Sequence, residues 1–257
     1  MSHFVSHLAR ARHQFDTPKR KPCERGDFLN CDRVETEIVV PDEIAVMTLP
    51  NVAFFPQALM PLHIFEPRYR QMLSSVLSSH RIFAVAGLHP DSDPSEERGQ
   101  RIATAGIVRA CNQNDDGTSN LLLQGLTRVK CEAVVQEEPY RVIRIKTLSS
   151  ETSDDEESRR RLRTRIQRLL TLRRQLGAPS PEGFTQFLKS VEDSDAFIDL
   201  AAFTLCENPA LKQRLLETLN VEERLRIYGD SLRHEVERLS VEKKLQGRLP
   251  DEDLGNN

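Results

Sequence analysis

"LMPLHIFEPRYRQML", residues 59–73, decides the fold. Leu59 to Phe65 is an apolar run interrupted only by Pro61 and His63, and it reads as a strand. Glu66 to Arg70 is a knot of charge around Tyr69. Pro67 suits the first turn of a helix, where a missing N–H costs nothing. Glu66 beside it suits the positive end of the helix dipole. Tyr69, Met72, Leu73, Val76 and Leu77 then recur at helical spacing. The pattern predicts a helix over 66–79, launched straight from a strand, with Tyr69 and Met72 in the core.

Strand patterns surround this helix. Ile44 to Leu49 ends at Pro50-Asn51, and Arg81 to Leu88 is a buried-strand run. Arg101 to Cys111 is another, with Gly106 as the mark of a bulge. Asp116-Gly117 signals a hairpin. Beyond it, Val129, Cys131, Ala133 and Val135 alternate with Arg128, Lys130 and Glu132. Residues 140–148 repeat that period of two, which means one buried face and one wet face. Short strands joined by turns predict a small, strongly bent antiparallel sheet or barrel.

The second half carries helical periodicity. Ser153 with Glu156 reads as a capping box ahead of the stripe Leu162, Ile166, Leu169, Leu170 and Leu176, closed by Gly177. A short helix follows at 184–191 and a strongly apolar one at 195–206. Asn208 with Pro209, and then Asn220, cap the last two. The expected organisation is a loosely ordered tail over 1–43, a β subdomain over 44–150, a helical bundle over 151–246, and a second tail over 247–257.

Composition narrows the function classes. The net charge of −3 exerts no global pull toward nucleic acid or membrane. Residues 158–176 nevertheless carry eight Arg and no acid, while 178–257 hold ten Lys and Arg against sixteen Asp and Glu. Five scattered cysteines without a CxxC read as reduced thiols in a cytoplasmic compartment. Cys23 and Cys31, with His3, His7 and His13, match no zinc-finger spacing, so no metal is expected. The most apolar stretch, 44–65, is broken by prolines and polar residues, short of the roughly 20 unbroken apolar residues a spanning helix needs. Walker A, GxGxxG and GxSxG motifs are absent, and no nucleophile–base set stands out. No cofactor and no catalytic residue is expected.

The stretch "MTLPNVAFFPQALMPLHIFEPRYRQML" (47–73), followed by "DGTSNLLLQGLTRV" (116–129), resembles the amino-terminal domain of Lon proteases and the standalone proteins built from it. The helical segment 197–225 is similar as well, so the resemblance covers about residues 44–245. It implies an α+β fold: a PUA-like pseudobarrel with one inserted helix, followed by a helical bundle. It also implies a role in engaging substrates. In the full-length protease a motor and a peptidase domain follow. This sequence contains neither, so the expected chain is not an enzyme. One departure stands out, because Phe54 and Phe55 occupy what should be a turn.

The leading expectation is therefore a non-catalytic module for unfolded polypeptide or a protein partner, linked to protein quality control. The expected contacts are Phe54, Phe55, Leu59 and Met60, with Arg68 and Arg70 at the rim. The competing reading turns Phe54 and Phe55 inward as a plug. A second function, RNA binding, would use the arginine-rich helix through Arg160, Arg163 and Arg168. No stacking aromatic lies among those arginines, and a solvated helix face explains them more simply.

Overall fold

The computed structural model describes residues 38–92 and 97–246. The described residues from Val40 onward form one compact unit. The two expected tails, save for residues 38–43, lie outside the described residues, as do Cys23 and Cys31 with His3, His7 and His13.

Six strands come first: β1 Glu43–Leu49, β2 Leu59–Ile64, β3 Ile82–Gly87, β4 Ile102–Gln113, β5 Ser119–Gln136 and β6 Val142–Leu148. Helix α1, Pro67–Leu77, lies between β2 and β3. The strand order is β2-β5-β4-β3-β1-β6, and the long β5 also pairs with β6. Its first half pairs with β2 and its second half with β6, so the sheet closes into a barrel. The expectation of a purely antiparallel sheet fails at one pair. β1 runs parallel to β3, with Val46 opposite Ala84 and Thr48 opposite Ala86. The reason is the intervening β2–α1 segment, a crossover that returns the chain in its original direction.

The middle of the sheet, β1, β3 and the first half of β4, is buried on both sides. Ile44, Val46, Ile82, Ala84, Ala103 and Ala105 share one small cluster with Val129, Ile143 and Ile145. Ala45, Met47, Phe83 and Val85, the alternate residues, join a larger cluster with α1 and the bundle. A strand covered on two faces loses its polar alternation, which explains the continuous run "IFAVAG".

The bundle comprises α2 Glu156–Gln175, α3 Phe184–Ser190, α4 Ser194–Leu205, α5 Pro209–Glu217 and α6 Val221–Gln246. Asn208 caps α5 by accepting from Leu211 N, and Asn220 accepts from Glu223 N at the start of α6. The expected capping box at α2 is shifted. Asp155 is the cap, accepting from Ser158 N, while Ser153 Oγ donates to Glu222 at 2.7 Å.

A buried charge cluster joins sheet to bundle. Arg128 of β5 donates through Nη1 and Nη2 to both carboxylate oxygens of Asp199 of α4, at 2.8 and 2.7 Å. Its Nε donates to the Leu216 carbonyl at 2.9 Å. Arg224 of α6 lies 2.5 Å from Asp199 and 2.8 Å from Asp195. Arg128, Asp199 and Arg224 are 2%, 1% and 0% exposed. Burial pushes the Asp199 carboxyl upward, and the two guanidiniums pull against that rise.

Candidate functional site

The charged knot after β2 divides its labour. Arg68 donates two bonds to Glu97, each 2.8 Å, and its Nε donates to Glu66 at 2.9 Å. The Glu97 hydrogen bonds raise the Arg68 guanidinium above its ordinary value, and Arg68 holds the Glu97 carboxyl down in return. Tyr69 points the other way, into the core, with its hydroxyl 3.3 Å from Thr48 N. The Arg68 guanidinium stacks 4.5 Å from the centroid of that ring. Glu66-Pro67-Arg68-Tyr69 is thus a brace that fixes the start of α1 on β1 and on the segment holding Glu97.

Arg70 is free of this brace. Its guanidinium lies over Gly117, in the turn between β4 and β5, where φ is +78°. A methyl group there would overlap Nη2 and stand 3.0 Å from Cζ. Only glycine satisfies both the backbone angle and the overlying arginine. The two halves of the sequence signature, EPRYR and DG, therefore meet in space.

The loop before β2 corrects the expected contact set. Phe54 and Phe55 are 1% and 0% exposed and belong to the core. The cause is visible in the sheet beneath them. A Cβ at Gly106 would come 2.9 Å from the Phe54 ring, and one at Gly125 would overlap the Phe55 carbonyl. These two glycines open a socket that the loop fills. Thr104 Oγ1 donates to the Phe54 carbonyl at 2.5 Å, and Gln57 N donates to the Gly125 carbonyl at 3.0 Å. Arg128 lies 5.9 Å from the Phe55 centroid, so the ring roofs the buried charge cluster. Met60 also faces inward, at 8% exposure.

What remains outside is a stripe on β2. Residues alternate along a strand, so Leu59, Pro61 and His63 share the outer face while Met60 and Ile64 face the core. Phe65 continues the stripe, 61% exposed against 51% for Leu59. The His63 ring stacks on Phe65 with centroids 6.0 Å apart. His63 Nδ1 sits 2.8 Å from Asn120 Oδ1 on β5. The stripe is thus apolar, held flat against the sheet, and rimmed by imidazole and carboxamide. Of the expected contacts, Leu59 lies on it and Arg70 lies in the neighbouring β4–β5 turn region. Arg68 is spent on Glu66 and Glu97. Phe65, His63 and Asn120 were not among the expected contacts, although the alternation of β2 could have found Phe65.

The arginine helix does not present its three expected residues together. Arg163 donates to the Val191 and Glu192 carbonyls and stacks 4.6 Å from the Phe197 centroid. Arg160 pairs with Glu156 at 3.0 Å. Arg160 and Arg168 border a hollow of about 830 Å³ that also contains Glu156 and Glu157. Arg173 is buried against Glu235 and Glu207. Among the described residues, no cluster of His, Cys, Asp and Glu is arranged to hold a metal ion. No helix among them is long and apolar enough to cross a membrane.

A closed mixed sheet with a crossover helix, locked by buried arginines to a helical bundle, defines an α+β domain. Residues 43–234 match the family of ATP-dependent protease La (LON) substrate-binding domains, and the chain belongs to that family. It is 26% identical over 217 residues to the Lon protease of Dictyoglomus thermophilum, covering 83% of this chain and 27% of that protein. It is 27% identical over 213 residues to the Lon protease of Brevibacillus choshinensis, covering 80% of this chain and 27% of that one. The chain thus spans about a quarter of the length of the curated relatives it matches. Its fold is similar to the N-terminal domain of Mycobacterium avium complex Lon protease, with TM-score 0.59 and 16% identity, covering 74% of this chain and 97% of that one. A Lon N-terminal domain protein from Xanthomonas campestris gives TM-score 0.53 at 17% identity, covering 72% of this chain and 95% of that one.

Proposed function

We propose that this chain is a non-catalytic module that holds unfolded or degradation-bound polypeptide, in the service of cytoplasmic protein quality control. The observation that carries the reading is the stripe Leu59–Pro61–His63–Phe65, which exposes Leu59 and Phe65 on the strand of the family's signature. Two large apolar side chains left in water on one strand face of a well-packed domain, with Pro61 between them, support a partner surface. The rim of His63 and Asn120 offers hydrogen-bonding groups to a peptide backbone without selecting a side chain. That combination suits clients of varied sequence. Membership of a substrate-binding family supports it.

Leu59→Ser with Phe65→Ser tests the reading. Both side chains are more than half exposed, so the melting temperature is expected to stay within about 2 °C, as exposed substitutions usually leave stability unchanged. Retention of a reduced, carboxymethylated protein is expected to fall at least about tenfold, or 1.4 kcal/mol. Unchanged retention would remove the stripe from the function. Turnover of ATP or casein above a mock preparation would end the non-catalytic reading. The RNA reading now rests on Arg160 and Arg168 without Arg163. It would regain force only if a defined RNA bound with a salt slope that shrank on replacing those two.

A further inference from the structure

Between α1 and the β4–β5 hairpin, past the end of β2, lies a hollow of about 520 Å³. Arg70, Ser74, Ser119 and Gln113 supply its polar wall, and Leu77 with Cys111 its apolar one, above the buried Leu73. The hollow is bordered by one cation, Arg70. Arg70 is laid over Gly117, and among the described residues its guanidinium donates no hydrogen bond and closes no ion pair. Asp116, in the same turn, is turned toward Thr118, accepting from its N at 2.9 Å and its Oγ1 at 2.7 Å. The side chains of Ser74, Ser119 and Gln113 make no hydrogen bond among the described residues either. No acid lines the hollow itself, and the nearby Asp116 carboxylate feels the charge of Arg70 without pairing with it.

One unpaired guanidinium with neutral donors around it matches a group of single negative charge and planar geometry, which is a carboxylate. A phosphate, with nearly two charges, is ordinarily met by several cations. The apolar wall adds a second requirement, a hydrocarbon side chain next to the carboxylate. A chain terminus ending in an apolar residue meets both, and hollows of this size admit such a ligand. We propose that this hollow captures the C-terminal carboxylate of a client polypeptide, with its last, apolar side chain against Leu77 and Cys111. The proposal rests on the polypeptide-binding reading and adds polarity to it: the end of the client seats in the hollow and the preceding residues run along the stripe.

The test is fluorescence anisotropy with a labelled ten-residue peptide ending in Leu. It is compared with its C-terminal amide, and with an amidated version carrying an internal Asp. The free acid is expected to bind wild-type protein at least about tenfold more tightly than either amide, the size of one charge-assisted contact. In Arg70→Gln that preference is expected to disappear while the melting temperature stays within a few degrees. Equal binding of acid and amide by wild type overturns the proposal without recourse to any variant. So does an internal-Asp amide that binds as well as the free acid, which would make the hollow a site for acidic side chains. Retention of a carboxymethylated unfolded protein is measured in parallel. If that protein is retained and the acid preference is absent, the terminus inference falls and the polypeptide reading stands. If it is not retained at all, both fall.

Discussion

Replacing Asp199 by Asn tests the lock between barrel and bundle. The carboxylate is the shared acceptor for Arg128 and Arg224, and all three residues are at most 2% exposed. Asparagine keeps the shape and removes the charge. Its amide NH2 would then face a guanidinium donor, so one good bond becomes a donor–donor contact. Arg224 would keep Asp195 at 2.8 Å. Arg128 would keep the Leu216 carbonyl and one amide oxygen, and would stand as a buried cation without a counter-charge. Removing one partner of a buried pair costs about 3–5 kcal/mol. For a domain of this size each kcal/mol moves the melting temperature by about 2–4 °C, so the expected fall is roughly 6–20 °C. Urea unfolding followed by far-UV circular dichroism reads the loss directly. The companion variant, Arg128→Met with Asp199→Leu, removes both charges and is expected to recover most of the stability, because an apolar pair of similar volume often matches a buried ion pair. A loss below about 1 kcal/mol in Asp199→Asn, well under the cost of an orphaned buried charge, would mean that water reaches these guanidiniums and that the lock does not exist as described.

Phe54→Ser with Phe55→Ser is expected to unfold the domain, since truncating one buried Phe to Ala already costs about 3–5 kcal/mol, and an unchanged urea midpoint would put the rings outside. Gly117→Ala is expected to lose roughly 1–2 kcal/mol in urea unfolding from the positive φ, the tip of Arg70 being free to swing aside, whereas no loss would show that the turn does not hold this residue at positive φ. Glu222 offers a pH signature. Desolvation opposes its charge, but hydrogen bonds from Arg159 and Ser153 outweigh that and hold the carboxyl down to about 2 against an ordinary 4.5. A depressed carboxyl contributes stability above its unfolded value and loses it as pH falls through the folded one. Glu222→Gln is therefore expected to cost about 2–3 kcal/mol at pH 7, with its deficit shrinking as pH drops from 4.5 toward 2, and a deficit independent of pH would refute the assignment.

Local chemistry carried most of the elements. The helix after Glu66, the hairpin at Asp116-Gly117, and the caps Asn208 and Asn220 all follow from the preferences of a few adjacent residues. So does the bulge at Gly106, which falls where the β4–β5 register shifts. The family was legible for the same reason, because its signature is a string of such local solutions. Membership in turn implied the closed sheet followed by a bundle. The parallel pairing of β1 with β3 was not legible, since it depends on which edge the crossover returns to.

The candidate site was less legible, and the reason is physical. Hydrophobicity says that Phe54 and Phe55 seek an apolar neighbour, but not whether that neighbour is a client or the protein's own sheet. The answer lay about 50 and 70 residues downstream, in the missing side chains of Gly106 and Gly125. Charge is ambiguous in the same way. Arg68, Arg128, Arg163 and Arg173 look in sequence like Arg70, yet each is matched to a distant acid or carbonyl. Asp199 within the apolar run "FIDLAAF" was the one local hint that an arginine would have to come inward to meet it. The sequence by itself determined the family, the order of elements and the absence of familiar catalytic motifs, because those reside in short-range pattern. Only the tertiary structure decided which aromatics and arginines are left for a partner, because burial is set by what the rest of the chain brings alongside.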